Sequence, residues 1–136
     1  MDTIFSPSVP PLDRFDRYFE FVHDHMVAIQ KKCGSILGCP LLSIGSEVST
    51  QDQVVRDTVE RILDRKRSYF VSAIRDAHAQ GLIDAPDAEA KANTLFACYS
   101  GTMAQARIQN DVALLCEFKR VARDVLGVKP AEASVS

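Results

Sequence analysis

No stretch of this 136-residue chain is apolar for the roughly 18 residues that a membrane span requires. Glycine and proline are scarce, six of each, and no segment shows a strand-like alternation. A net charge of −2 excludes the strongly basic footprint of a nucleic-acid-binding surface. The first residues, MDTIFSPSVPP, have neither a basic start nor an apolar run, so they do not read as a signal peptide. The four cysteines, Cys33, Cys39, Cys98 and Cys116, form no CxxC pair. They are expected to be reduced and mostly buried, in a cytoplasmic protein. The catalytic signatures GxSxG, HExxH, GxGxxG and the P-loop are all missing, so no enzyme and no cofactor are expected. His23 and His25 stand two apart, which on a helix turns them about 200° from each other and away from a shared metal.

What is present is helical periodicity. Residues 1–10 hold Pro7 and Pro10 without a sustained period and read as a flexible leader. A helix is expected after Pro11, because Leu12, Phe15, Phe19, Val22, Met26 and Ile29 recur at alternating steps of three and four. Gly34 ends it. A short second helix is expected at 40–48, started by Pro40 and carrying Leu41, Leu42, Ile44 and Val48. Thr50 and Gln53 then form a capping box for a third helix over 51–80. On that helix Val55, Val59, Ile62, Tyr69, Phe70, Ala73 and Ala77 share a face, and Gly81 stops it. Asp84 and Asp87 are both candidate caps for a fourth helix over 87–109. A break at Asn110 or Asp111 leads to a fifth over 111–126, closed by Gly127 and Pro130. Residues 128–136 read as a disordered tail. The expected architecture is one all-α domain, a five-helix bundle over 11–127.

The helix over 87–109 has two apolar faces. Ala92, Leu95, Phe96, Tyr99, Met103 and Ala106 make a bulky one. Ala97, Gly101, Ala104 and Ile108 make a second, mostly of small residues. Such a helix is expected to be covered on two sides. Either the short second helix covers the small face, or a second copy does. In the second case the last two helices of each chain would form an intermolecular four-helix bundle in a homodimer. The seam of the last helix (Leu114, Leu115, Phe118, Val121, Ala122, Val125) would then contribute Leu115, Phe118, Ala122 and Val125 to the interface.

Two charges interrupt apolar stripes: Lys66 on the third helix and Arg107 on the fourth. A buried charge needs a partner, a path to water or a ligand. The ligand reading is a cavity between helices, lined by aromatics and methionine, with one or both cations fixing an anionic group. His23 borders the stripe of the first helix and would add a polar contact there, or lie partly exposed. The run DRKR at 64–67 reads as a solvated helix face.

Four segments in order carry a family resemblance: GCPLLSIGSEVS, then QDQVVRDTVERILDRKRSYFVSAIRDAHAQGLI, then DAPDAEAKANTLFACYSGTMAQARIQND, then VALLCEFKRVARDVLG. Together they resemble the C-terminal half of TetR-family transcriptional regulators, over residues 12–127. The resemblance implies an all-helical domain, a homodimer through the last two helices, and a small-molecule pocket. It places in that pocket Phe19, Met26, Ile44, Tyr69, Phe70, Tyr99 and Met103, with Lys66 and Arg107 as polar anchors. The implied partners are a second copy and a small apolar or anionic effector. DNA would be met only through an N-terminal helix-turn-helix unit that these 136 residues do not contain. A helical module that only dimerises, with no pocket, is the other reading.

Overall fold

The computed structural model describes residues 3–34 and 52–129. They form four helices: α1 (Pro11–Cys33), α2 (Gln53–Ala79), α3 (Ala88–Gln109) and α4 (Ala113–Leu126). Among the described residues there is no strand. The helix expected at 40–48, with Ile44, lies outside the described residues. Each helix packs on two others, α1 on α2 and α4, and α3 on α2 and α4. The four therefore close around one core. No helix among the described residues is long and apolar enough to cross a membrane.

Local chemistry sets the helix ends. Pro11 occupies the first turn of α1, where its missing N–H costs nothing. Gly34 ends that helix at φ 78°, a left-handed conformation that glycine adopts without a Cβ clash. The start of α2 corrects the expected Thr50–Gln53 box. The Asp52 carboxylate accepts from the amides of Val54 (2.9 Å) and Val55 (3.2 Å), while the Gln53 side chain donates forward to Asp57 at 2.7 Å. A carboxylate both satisfies those amides and suits the positive end of the helix dipole. At the other end, the Leu82 amide reaches back to the Ala77 carbonyl at 3.0 Å. Of the two aspartates before α3, Asp87 is the cap, accepting from the Ala90 amide at 3.1 Å. Asn110 is the break after α3, at φ 53°.

The apolar stripes fall where the periodicity puts them. Phe15, Phe19, Val22 and Met26 from α1 meet Phe70, Ala73 and Ala77 from α2 and the bulky face of α3. Some described residues of the two end segments pack on the helices. Phe5 and Val9, within the expected leader, are buried. Phe5 packs among Phe15, Tyr18, Tyr69 and Phe70, with ring centres 5.6–5.9 Å away. At the far end, half-buried Val128 packs on the core and the Lys129 amide donates to the Leu82 carbonyl at 3.0 Å. A single aromatic ahead of Pro7 has no period, so sequence pattern does not reveal its burial.

A buried arginine holds the leading segment down. Arg14 is 2% exposed. Its Nε donates to the Val9 carbonyl (2.8 Å), one terminal nitrogen donates to Asp76 on α2 (2.7 Å), and the other to the Pro7 carbonyl (3.5 Å). All three faces of the guanidinium fork are thus engaged, which a buried cation requires. On the opposite side of α1, an antiparallel ladder joins it to α4. Asp16 accepts from Arg123 at 2.6 Å, Glu20 pairs with Lys119, and His23 meets Cys116. The steps of four and three along α1 match four and three along α4, one rung per turn.

Two outcomes follow from these contacts. Arg14→Met should lower the unfolding free energy by about 3 kcal/mol in urea denaturation, the low end for breaking a buried pair because Asp76 is half-exposed and can rehydrate. A loss below about 1 kcal/mol would place the pair with ordinary surface bridges instead. The hydrogen bond to Glu20 raises the Lys119 ammonium above its ordinary value. Folded Lys119 then keeps its proton to higher pH than the unfolded chain does. Its contribution is full below the unfolded lysine pKa and is lost as pH rises through the folded one. Lys119→Met should therefore cost about 0.2–1 kcal/mol at neutral pH, a surface-bridge magnitude. That penalty should shrink in strongly alkaline buffer, and a penalty constant to about pH 11 would contradict the pairing.

Candidate functional site

The centre of the molecule is an aromatic cluster with members from every described helix. Phe19 of α1 meets Phe118 of α4 edge-on at 4.7 Å, and Phe15 meets Phe70 of α2 at 5.3 Å. Phe70 in turn meets Phe96 of α3 at 5.9 Å, and Tyr99 closes the circuit to Phe118 at 5.9 Å. Most of these pairs are T-shaped or tilted, which the ring quadrupoles favour. The Tyr18 hydroxyl donates to the Tyr99 hydroxyl at 3.5 Å inside this apolar setting.

The expected pocket residues are distributed unevenly over this structure. Phe19, Met26, Phe70, Tyr99 and Met103 are brought together, all buried in one core cluster. Half-buried Tyr69 leans on Phe5 at 5.6 Å. These side chains pack against one another, and Phe5, which sequence reasoning missed, fills part of their centre. Ile44 lies outside the described residues. Arg107 is exposed in the last turn of α3, so it is no buried charge and instead suits the negative end of that helix. Lys66 is half-buried on α2, and among the described residues no hydrogen bond or ion pair holds its ammonium. His23 stands apart from the cluster, on the α1–α4 seam.

Among the described residues the buried charge is Arg14, which the stripe of α1 does not single out. It flanks that stripe one turn before Tyr18, and both are buried. A groove of about 430 Å³ runs between α2 and α3. Its walls include Asp64, Arg67, Ser68, Arg75, Asp76, Glu89 and Asn93. Arg67 pairs with Asp64 at 3.2 Å and lies 5.7 Å from the Phe96 ring, and Arg75 reaches Glu89 at 3.7 Å. None of the expected pocket residues lines this groove.

The expected interface residues split into two groups. Ala97, Gly101 and Ala104 of α3 are exposed, and Ile108 is 81% exposed. A Cβ built on Gly101 would meet nothing within 4 Å. Among the described residues, nothing covers the small-residue face of α3. Leu115, Phe118 and Ala122 of α4 are instead buried in the protomer's own core, and Val125 is half-buried against it. The reason is geometric: α4 has one broad apolar stripe, and it is used to close the core between α1 and α3. Beside it, half-buried Leu114, Val121, Val125 and Val128 line the flank of α4.

The cysteines also depart from expectation. Cys33 and Cys116 are exposed, Cys98 is half-buried, and Cys39 lies outside the described residues. Cys116 Sγ lies 3.0 Å from His23 Nε2, and His23 Nδ1 lies 3.2 Å from the Asp24 carboxylate. Among the described residues, no group of three His, Cys, Asp or Glu side chains is placed to hold a metal ion.

Comparison with known proteins adds one finding. No curated protein and no solved structure matches the chain. A family model described as the tetracyclin repressor-like C-terminal domain matches residues 12–122, from the start of α1 to the last turn of α4. That span takes in the aromatic core and both faces of α3, so this chain belongs to the tetracyclin repressor-like C-terminal domain family.

Proposed function

We propose that this chain is the effector-sensing and self-associating domain of a TetR-like transcriptional regulator. Family membership supplies the regulatory setting. The observation that carries self-association is the open face of α3. Gly101 sits in the middle of a 22-residue helix with free space where a side chain would go. Glycine there costs about 1 kcal/mol of helix stability relative to alanine, and no contact among the described residues repays it. Close approach of a second helix would. Ile108, at 81% exposure, would be covered by the same contact. The half-buried flank of α4 at Leu114, Val121 and Val125 extends the patch. It replaces Leu115, Phe118 and Ala122 as the α4 contribution.

Sensing rests on the side chains that converge at the centre. Phe19, Met26, Tyr69, Phe70, Tyr99 and Met103 offer an apolar, polarisable wall, and Lys66 offers an ammonium that no described side chain engages. An effector with an apolar body and an anionic group fits that chemistry. It would act by linkage: a ligand that prefers one packing of the helices shifts the population of dimer geometries by its differential affinity. One observation favours the second reading, a module that dimerises without an effector. The aromatic rings already touch one another, with Phe5 seated between them.

Sedimentation should find a dimer at micromolar concentration. Ala104→Arg should convert it to a monomer with an unchanged helical circular dichroism spectrum, because Ala104 is exposed. A wild-type monomer would overturn the self-association reading. Thermal unfolding against a panel of aromatic carboxylates should reveal a stabilising compound, worth about 2.7 kcal/mol at a hundred times its Kd. Lys66→Ala should abolish most of that gain. No response from any compound, with Lys66→Ala and Arg107→Ala both behaving as wild type, would favour the interaction module.

A further inference from the structure

We propose that Cys116 and His23 form a thiol–imidazole dyad, a covalent modification site for soft carbon electrophiles of the α,β-unsaturated carbonyl class. The inference rests on the α1–α4 seam and is independent of the effector reading of the core. Three side chains stand in line there: Cys116 Sγ, His23 Nε2 at 3.0 Å, and the Asp24 carboxylate at 3.2 Å from His23 Nδ1. With the imidazole proton on Nδ1 directed at Asp24, Nε2 is free to accept from the thiol. This is the nucleophile–base–orienter order of activated cysteines. Sequence pattern hides it, because His23 and Cys116 are 93 residues apart.

Two further features suit the role. Cys116 is exposed, so an electrophile can reach it, and the His23 side chain is 25% exposed beside it. A Cys–His contact on an open seam contributes little to stability, and the two salt bridges below it already set the register of α1 on α4.

The step balances without an oxidant or a leaving group. The Cys116 sulfur forms a bond to the β-carbon of the conjugated alkene as its proton passes to His23 Nε2. The alkene π pair moves to the α-carbon side as an enolate. The proton on Nε2 is then delivered to the α-carbon, which returns His23 to its neutral form. The product is a thioether. Its added bulk cannot occupy the 3.0 Å gap between Sγ and Nε2, so the top rung of the α1–α4 ladder opens.

The test uses the intact chain and N-ethylmaleimide below stoichiometry, with quenched time points mapped by peptide mass spectrometry. Cys33 is an internal standard, being exposed with no bonded partner among the described residues. Cys116 should be labelled at least about tenfold faster than Cys33, a modest share of what a positioned base supplies. His23→Gln should bring the Cys116 rate down to that of Cys33 and leave the Cys33 rate unchanged. Cyclohexenone, a plain enone, should give the same order. Equal rates at the two cysteines in the wild-type chain would overturn the proposal, whatever the variant does. So would a Cys116 rate unaffected by His23→Gln in a folded variant.

Discussion

The charge of Arg14 cannot be left alone in the interior, and much of the arrangement of this domain follows from how it is satisfied. Taking a guanidinium out of water is tolerable only when its donors find acceptors. Here the acceptors come from two different places, the carbonyls of Pro7 and Val9 and the carboxylate of Asp76. One side chain on α1 therefore ties the leading segment to the end of α2. That tether delivers Phe5 into the gap between the helices, where it touches rings from α1 and α2. With Phe5 in place, Phe15, Tyr18 and Phe70 have defined neighbours, and the aromatic centre can pack edge to face. The rest of the core, including the faces of α3 and α4, builds on that centre.

The same economy shapes the outer helices. α3 spends its bulky face on the core and keeps Ala97, Gly101, Ala104 and Ile108 for the outside. α4 has a single stripe and must give it to the core, so its outward face carries Glu117, Arg120 and Asp124 in ion pairs. Surface pairs of this kind add little stability but keep that face soluble. Where α4 crosses α1, polar rungs flank the Phe19–Phe118 contact, and the reactive geometry of Cys116 with His23 arises at the end of that ladder. The apolar centre, the open face of α3 and the α1–α4 seam are thus separate surfaces. A change at one need not disturb the chemistry of another.

Much of the fold was legible because helical periodicity is a local property. The spacing of Phe15, Phe19, Val22 and Met26 marks a buried face whatever packs on it, and Gly34 and Gly127 mark ends because a left-handed residue is needed there. The two faces of α3 were readable for the same reason. The candidate site was less legible. The pattern says that Phe19, Phe70, Tyr99 and Met103 point inward, but not whether they surround a space or one another. Arg107 extends an apolar line, which left a partner, a path to water and a ligand all open, and it is exposed in the last turn of α3. The stripe of α4 was assigned to a partner chain, since a stripe alone does not say which neighbour covers it.

The amino-acid sequence by itself determined the helical class, the described helix boundaries to within a residue or two, many of the inward residues and the family. All of these depend on interactions between residues close in the chain, or on an order of segments that can be read directly. Only the tertiary structure decided that Phe5 belongs to the core, that Arg14 is the buried charge, that Leu115, Phe118 and Ala122 serve the protomer itself, and that Cys116 meets His23. Each of these joins residues from different elements, such as Arg14 to Asp76 or His23 to Cys116. Their energies depend on which elements become neighbours, and no local period encodes that choice.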